Sequence, residues 1–358
     1  MPYLVTDESE VIMKNNAQTP LGTEWGPAAT AQLVADGIDL QGKVVLVTGG
    51  ASGLGLETTR VLVSKGAEVV VPARRVADAE SALKGIPRTE VHEMELTDSM
   101  SVERFATRFL ETGRPIHRLI LNAGVMATPL FRDEDGNEGQ FATNHLGHFR
   151  LATLLWPALK AARGARIVVL SSRGHQIDGV HFDDLRFEMR PYDKWQAYGQ
   201  SKTANALFAV AADARGKTHG IRAFSVHPGS IVGPLARHLS PQEVDAFGAI
   251  DQNGQPIIDP EADMKNFAQG AATTVWCATS PLLDGLGGLY CENSDIAAIE
   301  ETERKGVRPY AIDPEDAERL WRVSVELTGG DVGWSHGGRT IHHDHALGPT
   351  ARDGFFNF

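Results

Sequence analysis

Tyr198 and Lys202 bracket the run Tyr198-Gly199-Gln200-Ser201-Lys202, inside an alanine-rich segment with helical spacing. Positions four apart share a helix face, so a phenol and an ammonium point the same way. A phenol with a pKa of about 10 is a poor base at neutral pH, and a neighbouring ammonium favours the phenolate and pulls that pKa down. Such a pair can exchange a proton with a substrate oxygen. Taken alone, the spacing is more commonly a solvated helix face, so its meaning depends on its surroundings. Ser172 follows the apolar run Arg166–Leu170, where its hydroxyl could bond a substrate oxygen beside the tyrosine. Asn122-Ala123-Gly124 ends the run Arg118–Leu121, and Asn144 opens the helical segment after it. Upstream, Thr48-Gly49-Gly50-Ala51-Ser52-Gly53-Leu54-Gly55 follows the apolar Val44–Val47 and precedes a helical segment. Glycines let backbone amides approach a diphosphate, and the free N–H groups and dipole of the new helix attract its charge. Three glycines alone are weak evidence of such a site.

The elements that must hold these residues alternate. Short apolar strands are expected at Val44–Val47, Glu68–Val71, Glu90–Met94, Arg118–Leu121, Arg166–Leu170 and Arg222–Val226, with an edge strand at Gly288–Cys291. Helices are expected at Leu56–Lys65, Ala77–Leu83, Met100–Leu110, Asn144–Ala161 (bent by Pro157), Trp195–Arg215, Phe267–Thr279 and Asp313–Leu327. Near-continuous apolar strands separated by helices imply a parallel sheet covered on both faces. The expected fold is therefore α/β: a doubly wound Rossmann arrangement on a mainly parallel seven-stranded sheet. Its site falls at the carboxyl ends of the strands, where every residue named above lies. Residues 1–38 read as an N-terminal extension with a short helix within Trp25–Val34. Residues 39–328 read as one catalytic domain, 234–264 as a hairpin or lid over the site, and 329–358 as a tail.

Composition narrows the classes. The chain has 358 residues, 42% hydrophobic and 22% charged, with a net charge of −12. That balance argues against nucleic acid as a main partner, since phosphate-backbone binding needs clustered Lys and Arg. The polar start lacks a secretion signal and no apolar run is long enough to span a bilayer. Cys277 and Cys291 read as reduced thiols, and a cytoplasmic protein is expected. His342, His343 and His345 in the tail lack helical ligand spacing, so no metal is expected there.

The ordered set Thr48–Gly55, Asn122-Ala123-Gly124, Asn144, Ser172 and Tyr198/Lys202 resembles the short-chain dehydrogenase/reductase family, over roughly residues 40 to 325. Asn144–Phe149 (NHLGHF), Tyr198–Asn205 (YGQSKTAN) and Gly270–Cys277 (GAATTVWC) look like its retinol-dehydrogenase-like branch. With 29–42, the last of these is similar to the oxidoreductase part of the WW-domain oxidoreductases. Residues 1–38 lack the spaced tryptophan pair of a WW domain.

The resemblance implies roles. Tyr198 is the general acid/base, and Lys202 lowers its pKa and binds the nicotinamide ribose. Ser172, with Ser171 as the competing choice, polarises the carbonyl, and Asn144 holds a water linking Lys202 to solvent. Cofactor contacts fall to Gly49, Ser52, Gly53, Leu54, Gly55, Arg74, Arg75, Glu95, Leu96, Asn122, Ala123, Gly124, Tyr198, Lys202, Pro228, Gly229 and Ile231. Glu95 stands where the family usually has an aspartate on the adenine. Gly233 replaces a usual threonine, so that side-chain bond is lost unless Ser230 or a backbone amide substitutes.

The end of the second strand carries Arg74 and Arg75 in place of an acid. An acid there would repel a 2′-phosphate, whereas guanidiniums match its oxygens, so NADP(H) is favoured over NAD(H). The implied function is alcohol/carbonyl interconversion on a lipophilic or aromatic molecule (retinoid-, steroid- or xenobiotic-like), leaning towards reduction. Tyr192 and Trp195 could line its pocket. The segments 144–161 and 195–215 resemble the family's dimer-forming helices, so a homodimer is expected. Two alternatives differ in class: an NADP(H)-binding scaffold without turnover, which would not need Ser172, Tyr198, Lys202 and Asn144 together, and a nucleotide-sugar-modifying relative, whose glycine spacing Gly53 and Gly55 do not fit.

Overall fold

The computed structural model describes residues 18–331. Its strands are β1 (Val44–Val47), β2 (Glu68–Ala73), β3 (Thr89–Glu93), β4 (Arg118–Leu121), β5 (Arg166–Leu170), β6 (Arg222–His227), β7 (Leu289–Glu292) and β8 (Asp295–Ile296). They form one eight-stranded sheet in the order β3-β2-β1-β4-β5-β6-β7-β8. β1 pairs with both β2 and β4 in parallel, so the chain winds first one way and then the other. The doubly wound expectation holds.

The count differs by one strand. β7 is not the edge, because β8 pairs with it antiparallel across Asn293-Ser294. Both turn residues have positive φ, 53° and 58°, which matches the right-handed twist of a two-residue hairpin. The usual Asn-Gly signal is absent, so this hairpin is hard to read in sequence.

Helices cover both faces. The glycine-turn helix runs Gly53–Ser64, starting three residues before its expected Leu56. The expected single helix Asn144–Ala161 is several pieces: Gly139–Phe141, a π-helical turn Ala142–Leu146, then Gly147–Leu154 and Trp156–Ala161. Pro157 lies in the first turn of the last piece, where its missing N–H costs nothing, rather than inside a continuous helix. The helix bearing Tyr198 spans Lys194–Gly216 and is capped by Asp193, whose carboxylate accepts from Trp195 N and Gln196 N at 2.8 Å.

The segment 18–38 packs onto the domain. Gln18 donates to the Tyr290 and Ala297 carbonyls and accepts from Tyr290 N, and Ala31 and Val34 join the core on one sheet face. On the opposite face, the C-terminal helix Pro314–Thr328 covers the 147–161 and 194–216 helices. Trp321 stacks on Phe208 with ring centroids 6.0 Å apart and meets Phe149 edge-on at 4.8 Å. The chain's own helix thus packs on the helices expected to form a dimer. Cys277 and Cys291 are free, buried thiols.

Candidate active site

The glycine turn is shaped for close approach. Gly49 and Gly53 adopt φ of +67° and +51°, which side-chain-bearing residues rarely do. A Cβ on Gly55 would stand 2.2 Å from the Gly49 carbonyl oxygen, so this glycine packs the helix against the turn. At Gly53, by contrast, a Cβ would meet nothing nearer than Phe267 Cε1 at 3.5 Å. The space there opens onto the first amides of Gly53–Ser64, and the N-cap Ser52 makes no side-chain bond to them. Open space over free amides fits a dinucleotide diphosphate.

Thr48 ties this turn to the end of β4. Its hydroxyl oxygen accepts from Asn122 N at 2.9 Å and Ala123 N at 3.0 Å, and Asn122 Nδ2 returns a bond to the Thr48 carbonyl. With two amides donating to it, the hydroxyl gives its own proton to His148 Nε2 at 2.9 Å, which makes His148 Nδ1 the donor to the Asn144 carbonyl at 3.0 Å. A neutral imidazole suits this role: burial pushes His148 down to about 4.

Asn144 sits in the π-helical turn, fully buried. Its Oδ1 accepts from Val125 N at 2.8 Å, and its Nδ2 donates to the Val125 carbonyl at 3.0 Å and to Ser201 Oγ at 2.9 Å. Its amide oxygen and nitrogen are both engaged, and its main-chain carbonyl already accepts from His148 Nδ1, so any water there would share that carbonyl. The extra residue in a π turn is a common way to aim a side chain at a site.

Ser172, Tyr198 and Lys202 meet at the end of β5. Ser171 is turned inward, its Oγ donating to the Lys202 carbonyl at 2.7 Å. Ser172 accepts from Gly174 N at 3.0 Å and hydrogen-bonds Tyr198. A Cβ on Gly174 would stand 2.6 Å from Tyr198 Cε1, so only glycine lets the ring lie there. This supporting residue carries no signal in the sequence beyond its place two after Ser172. Lys202 Nζ donates to the Leu170 carbonyl at 2.9 Å. Burial dominates both titrations, raising Tyr198 to about 12 and lowering Lys202 to about 8. The ammonium does not pull the phenol below its ordinary value, contrary to what the four-residue spacing alone suggests.

A single cleft of about 1440 Å³ joins these groups. Gly49, Ser52, Gly53, Leu54, Asn122, Ala123 and Gly124 line it, as do Arg74, Arg75, Glu95, Leu96, Ser172, Tyr198, Lys202, Pro228, Gly229 and Ile231. Gly55 and Asn144 stand behind the wall and support it. Arg74 Nε lies 3.4 Å from Glu95 Oε2 and Arg75 Nε 2.9 Å from Asp78 Oδ2. Beyond Tyr198 the wall becomes apolar, with Met126, Phe131, Ile177, Trp195 and Phe247. Tyr192 is not in it; its hydroxyl donates to the Thr128 carbonyl and packs the loop before the 194–216 helix.

The segment 234–264 forms one side of the cleft as a 3-10 turn (Pro234–His238), a helix (Pro241–Ala246) and a tight loop at Asn253-Gly254. It is fastened at two places. Glu243 pairs with Lys194, and Phe247 meets Trp195 with centroids 5.4 Å apart. At its base Asp263 accepts from His227 Nε2 at 2.9 Å and lies 3.5 Å from Arg173 Nε, and Arg173 Nη2 lies 3.1 Å from Glu292 Oε2. His227 and Arg173 hold the Asp263 carboxyl well below the usual range against its burial. This network joins residues far apart in sequence, so spacing could not reveal it. Gly233 has a packing reason: a Cβ there would stand 2.9 Å from Phe267 Cζ. Ser230 is turned towards Asp263 rather than the cleft floor.

Among the described residues no group of three or more His, Cys, Asp or Glu could hold a metal ion, and no helix is long and apolar enough to cross a membrane. His342, His343 and His345 lie outside the described residues.

Comparison with known proteins agrees with this geometry. A family model described as short chain dehydrogenase matches residues 43–244. The "probable oxidoreductase" of Streptomyces antibioticus is 44% identical over 299 residues, covering 81% of this chain and 98% of its own length. Retinol dehydrogenase 12 of Homo sapiens is 37% identical over 298 residues, covering 82% and 88%. Among solved structures, an uncharacterised protein from Mycobacterium paratuberculosis matches with a TM-score of 0.65 and 31% identity, over 84% of this chain and 98% of that one.

Proposed function

The chain belongs to the short chain dehydrogenase family and is an oxidoreductase using a nicotinamide dinucleotide on a small organic substrate, and within that activity we propose that it interconverts a lipophilic alcohol and its aldehyde or ketone with NADP(H). The observation that carries the reading is the convergence of Ser172, Tyr198 and Lys202 between a glycine turn and an apolar wall in one cleft.

When bound, the cofactor supplies or accepts the hydride. In the reducing direction the Tyr198 hydroxyl gives its proton to the carbonyl oxygen as charge develops there, and Ser172 holds that oxygen with a hydrogen bond. Lys202, pinned to the end of β5, stabilises the phenolate left behind. In oxidation the proton returns to Tyr198. Asn144 acts as a positioning residue, tying the 122–125 turn to Ser201 one residue before Lys202.

Arg74 and Arg75 favour a 2′-phosphate over a free ribose hydroxyl, because no acid ends β2 to repel it. Trp195, Phe131, Ile177 and Phe247 suit an aromatic or polyene skeleton such as a retinoid, steroid or xenobiotic carbonyl. Similarity to retinol dehydrogenase 12 supports that class, and the 270–277 segment supports a place near the WW-domain oxidoreductases. We place the activity in the cytoplasm. We also propose a homodimer, from the resemblance of 144–161 and 195–215 to the family's dimer-forming helices.

The test is a carbonyl and alcohol panel read by nicotinamide absorbance with both cofactors. Tyr198→Phe is expected to lower turnover by about 10²- to 10⁴-fold with the fold intact. Unchanged turnover in that variant would sink the mechanism.

A further inference from the structure

We propose that Arg237, carried on the 234–264 segment, is a third guanidinium for the 2′-phosphate, so that NADP(H) and not NAD(H) further steadies this segment over the cleft. The inference rests on the NADP(H) reading above and extends it from the floor of the cleft to its lid.

Arg237 lies in the turn Pro234–His238, which begins directly after Gly233. Pro234 Cδ stands 3.8 Å from where a Cβ on Gly53 would be. That seats the turn beside the open space over the first helical amides, and Arg237 lines the same cleft as Arg74 and Arg75.

The charges around it are unbalanced. Arg74 has Glu95 and Arg75 has Asp78 as partial counter-charges. Arg237 forms no ion pair with a carboxylate among the described residues; its Nη1 donates to the Pro234 carbonyl at 3.1 Å. Burial first, and then the like charge of Arg74, disfavour the charged form of Arg237. Two guanidiniums lining one cleft, with no acid on one of them, repel. A phosphate dianion between them turns that repulsion into two charge-assisted contacts, each with the planar fork that suits phosphate oxygens.

The position of the turn gives the contact a consequence. Four residues after Arg237 the lid helix begins its run to Glu243 and Phe247, which meet Lys194 and Trp195 on the helix that bears Tyr198. A phosphate drawing Arg237 towards Arg74 therefore steadies the element that walls the substrate end. NAD(H), with a free 2′-hydroxyl, offers no charge for Arg237 to answer. Cofactor identity would be sensed by the lid as well as by the floor.

Calorimetric titration of the full chain with NADP⁺ and NAD⁺ tests this without turnover. Arg237→Ala is expected to weaken NADP⁺ about tenfold while leaving NAD⁺ within about twofold. In the unsubstituted protein NADP⁺ should slow chymotrypsin cleavage at Phe247 and saturating NAD⁺ should not; Arg237→Ala should erase the difference. If Arg237→Ala keeps full NADP⁺ affinity while Arg74→Ala loses it, the inference falls and the NADP(H) reading stands. If the unsubstituted protein binds both cofactors alike, both fall. Arg237→Glu, which opposes the phosphate, should weaken NADP⁺ further than Arg237→Ala, and an equal effect would overturn a direct contact.

Discussion

Lys202 Nζ donates to the Leu170 carbonyl at 2.9 Å while standing 5.6 Å from the centroid of the Tyr198 ring. The lysine is thereby anchored to the strand that delivers Ser171 and Ser172, one turn along its own helix from the phenol. Both side chains are only 5% exposed, and burial penalises each charged form. The result is a phenol raised to about 12 beside an amine lowered to about 8. At neutral pH such a tyrosine holds its proton, which is the state needed to reduce a carbonyl.

A pH asymmetry between the two directions follows. Oxidation of an alcohol needs the phenolate, whose population rises about tenfold per pH unit below its pKa. The oxidation rate should therefore climb from about pH 6 towards about pH 8, while reduction stays level until Lys202 loses its proton near about 8 and then falls. Initial rates in both directions with one substrate pair check this. A level oxidation profile would remove Tyr198 as the titrating base.

The glycine turn makes a steric prediction that separates two neighbours. The methyl added by Gly55→Ala would lie 2.2 Å from the Gly49 oxygen and 2.5 Å from Asn122 Nδ2, so the turn must shift. A cost of about 1–3 kcal/mol and loss of cofactor affinity are expected. Gly53→Ala has room but a left-handed φ, and should cost about 1 kcal/mol with weaker effects on binding. Melting temperatures and cofactor titrations of the two variants should rank them in that order; the reverse order would contradict the geometry.

How much of this was legible in the sequence depended on the range of each interaction. Gly49 and Gly53, or Tyr198 and Lys202, lie within a turn or two of each other, so local spacing carries their meaning. The strand alternation likewise implied the doubly wound sheet and the clustering of Ser172, Asn122 and Arg74 at its carboxyl edge. The π-helical turn at Asn144 was not legible, because it depends on tertiary bonds to Val125 and Ser201. Asp263 meets His227 and Arg173 only through folding, and Arg237 reaches the cleft that Arg74 lines from a distant segment. The direction of the Tyr198 shift was also hidden, since burial outweighs what spacing suggests. Nor does an apolar helix pair reveal that a third helix of the same chain packs on it.

That covering helix can be tested directly. Trp321 is 2% exposed and touches Phe149, Phe208 and Trp156. Trp321→Ala should destabilise the protein by about 3–5 kcal/mol, as for other large aromatic truncations in a core. It should also uncover the Phe149 and Phe208 faces and promote self-association. Urea unfolding and light scattering provide the two readouts. A variant as stable as the parent would mean the helix does not seal this face.

The buried histidines make acid stability the last prediction. Burial lowers His145 and His175 to about 3 and His148 to about 4. In the unfolded chain each titrates near about 6.5. The unfolded state therefore binds more protons between these values, so stability is fully present above the unfolded pKa and is lost as pH falls. Three such groups should remove about 5 kcal/mol between about pH 7 and about pH 5. Glu138, whose carboxyl burial raises, opposes this trend because its folded form takes up protons first. Replacing His145, whose Nε2 meets Ser324 Oγ at 2.8 Å, with Asn should cut the pH dependence by about a third. Urea midpoints measured at the two pH values decide it: equal stabilities would mean that these imidazoles charge freely in the folded protein, and the neutral His148 that Thr48 and Asn144 require would not exist.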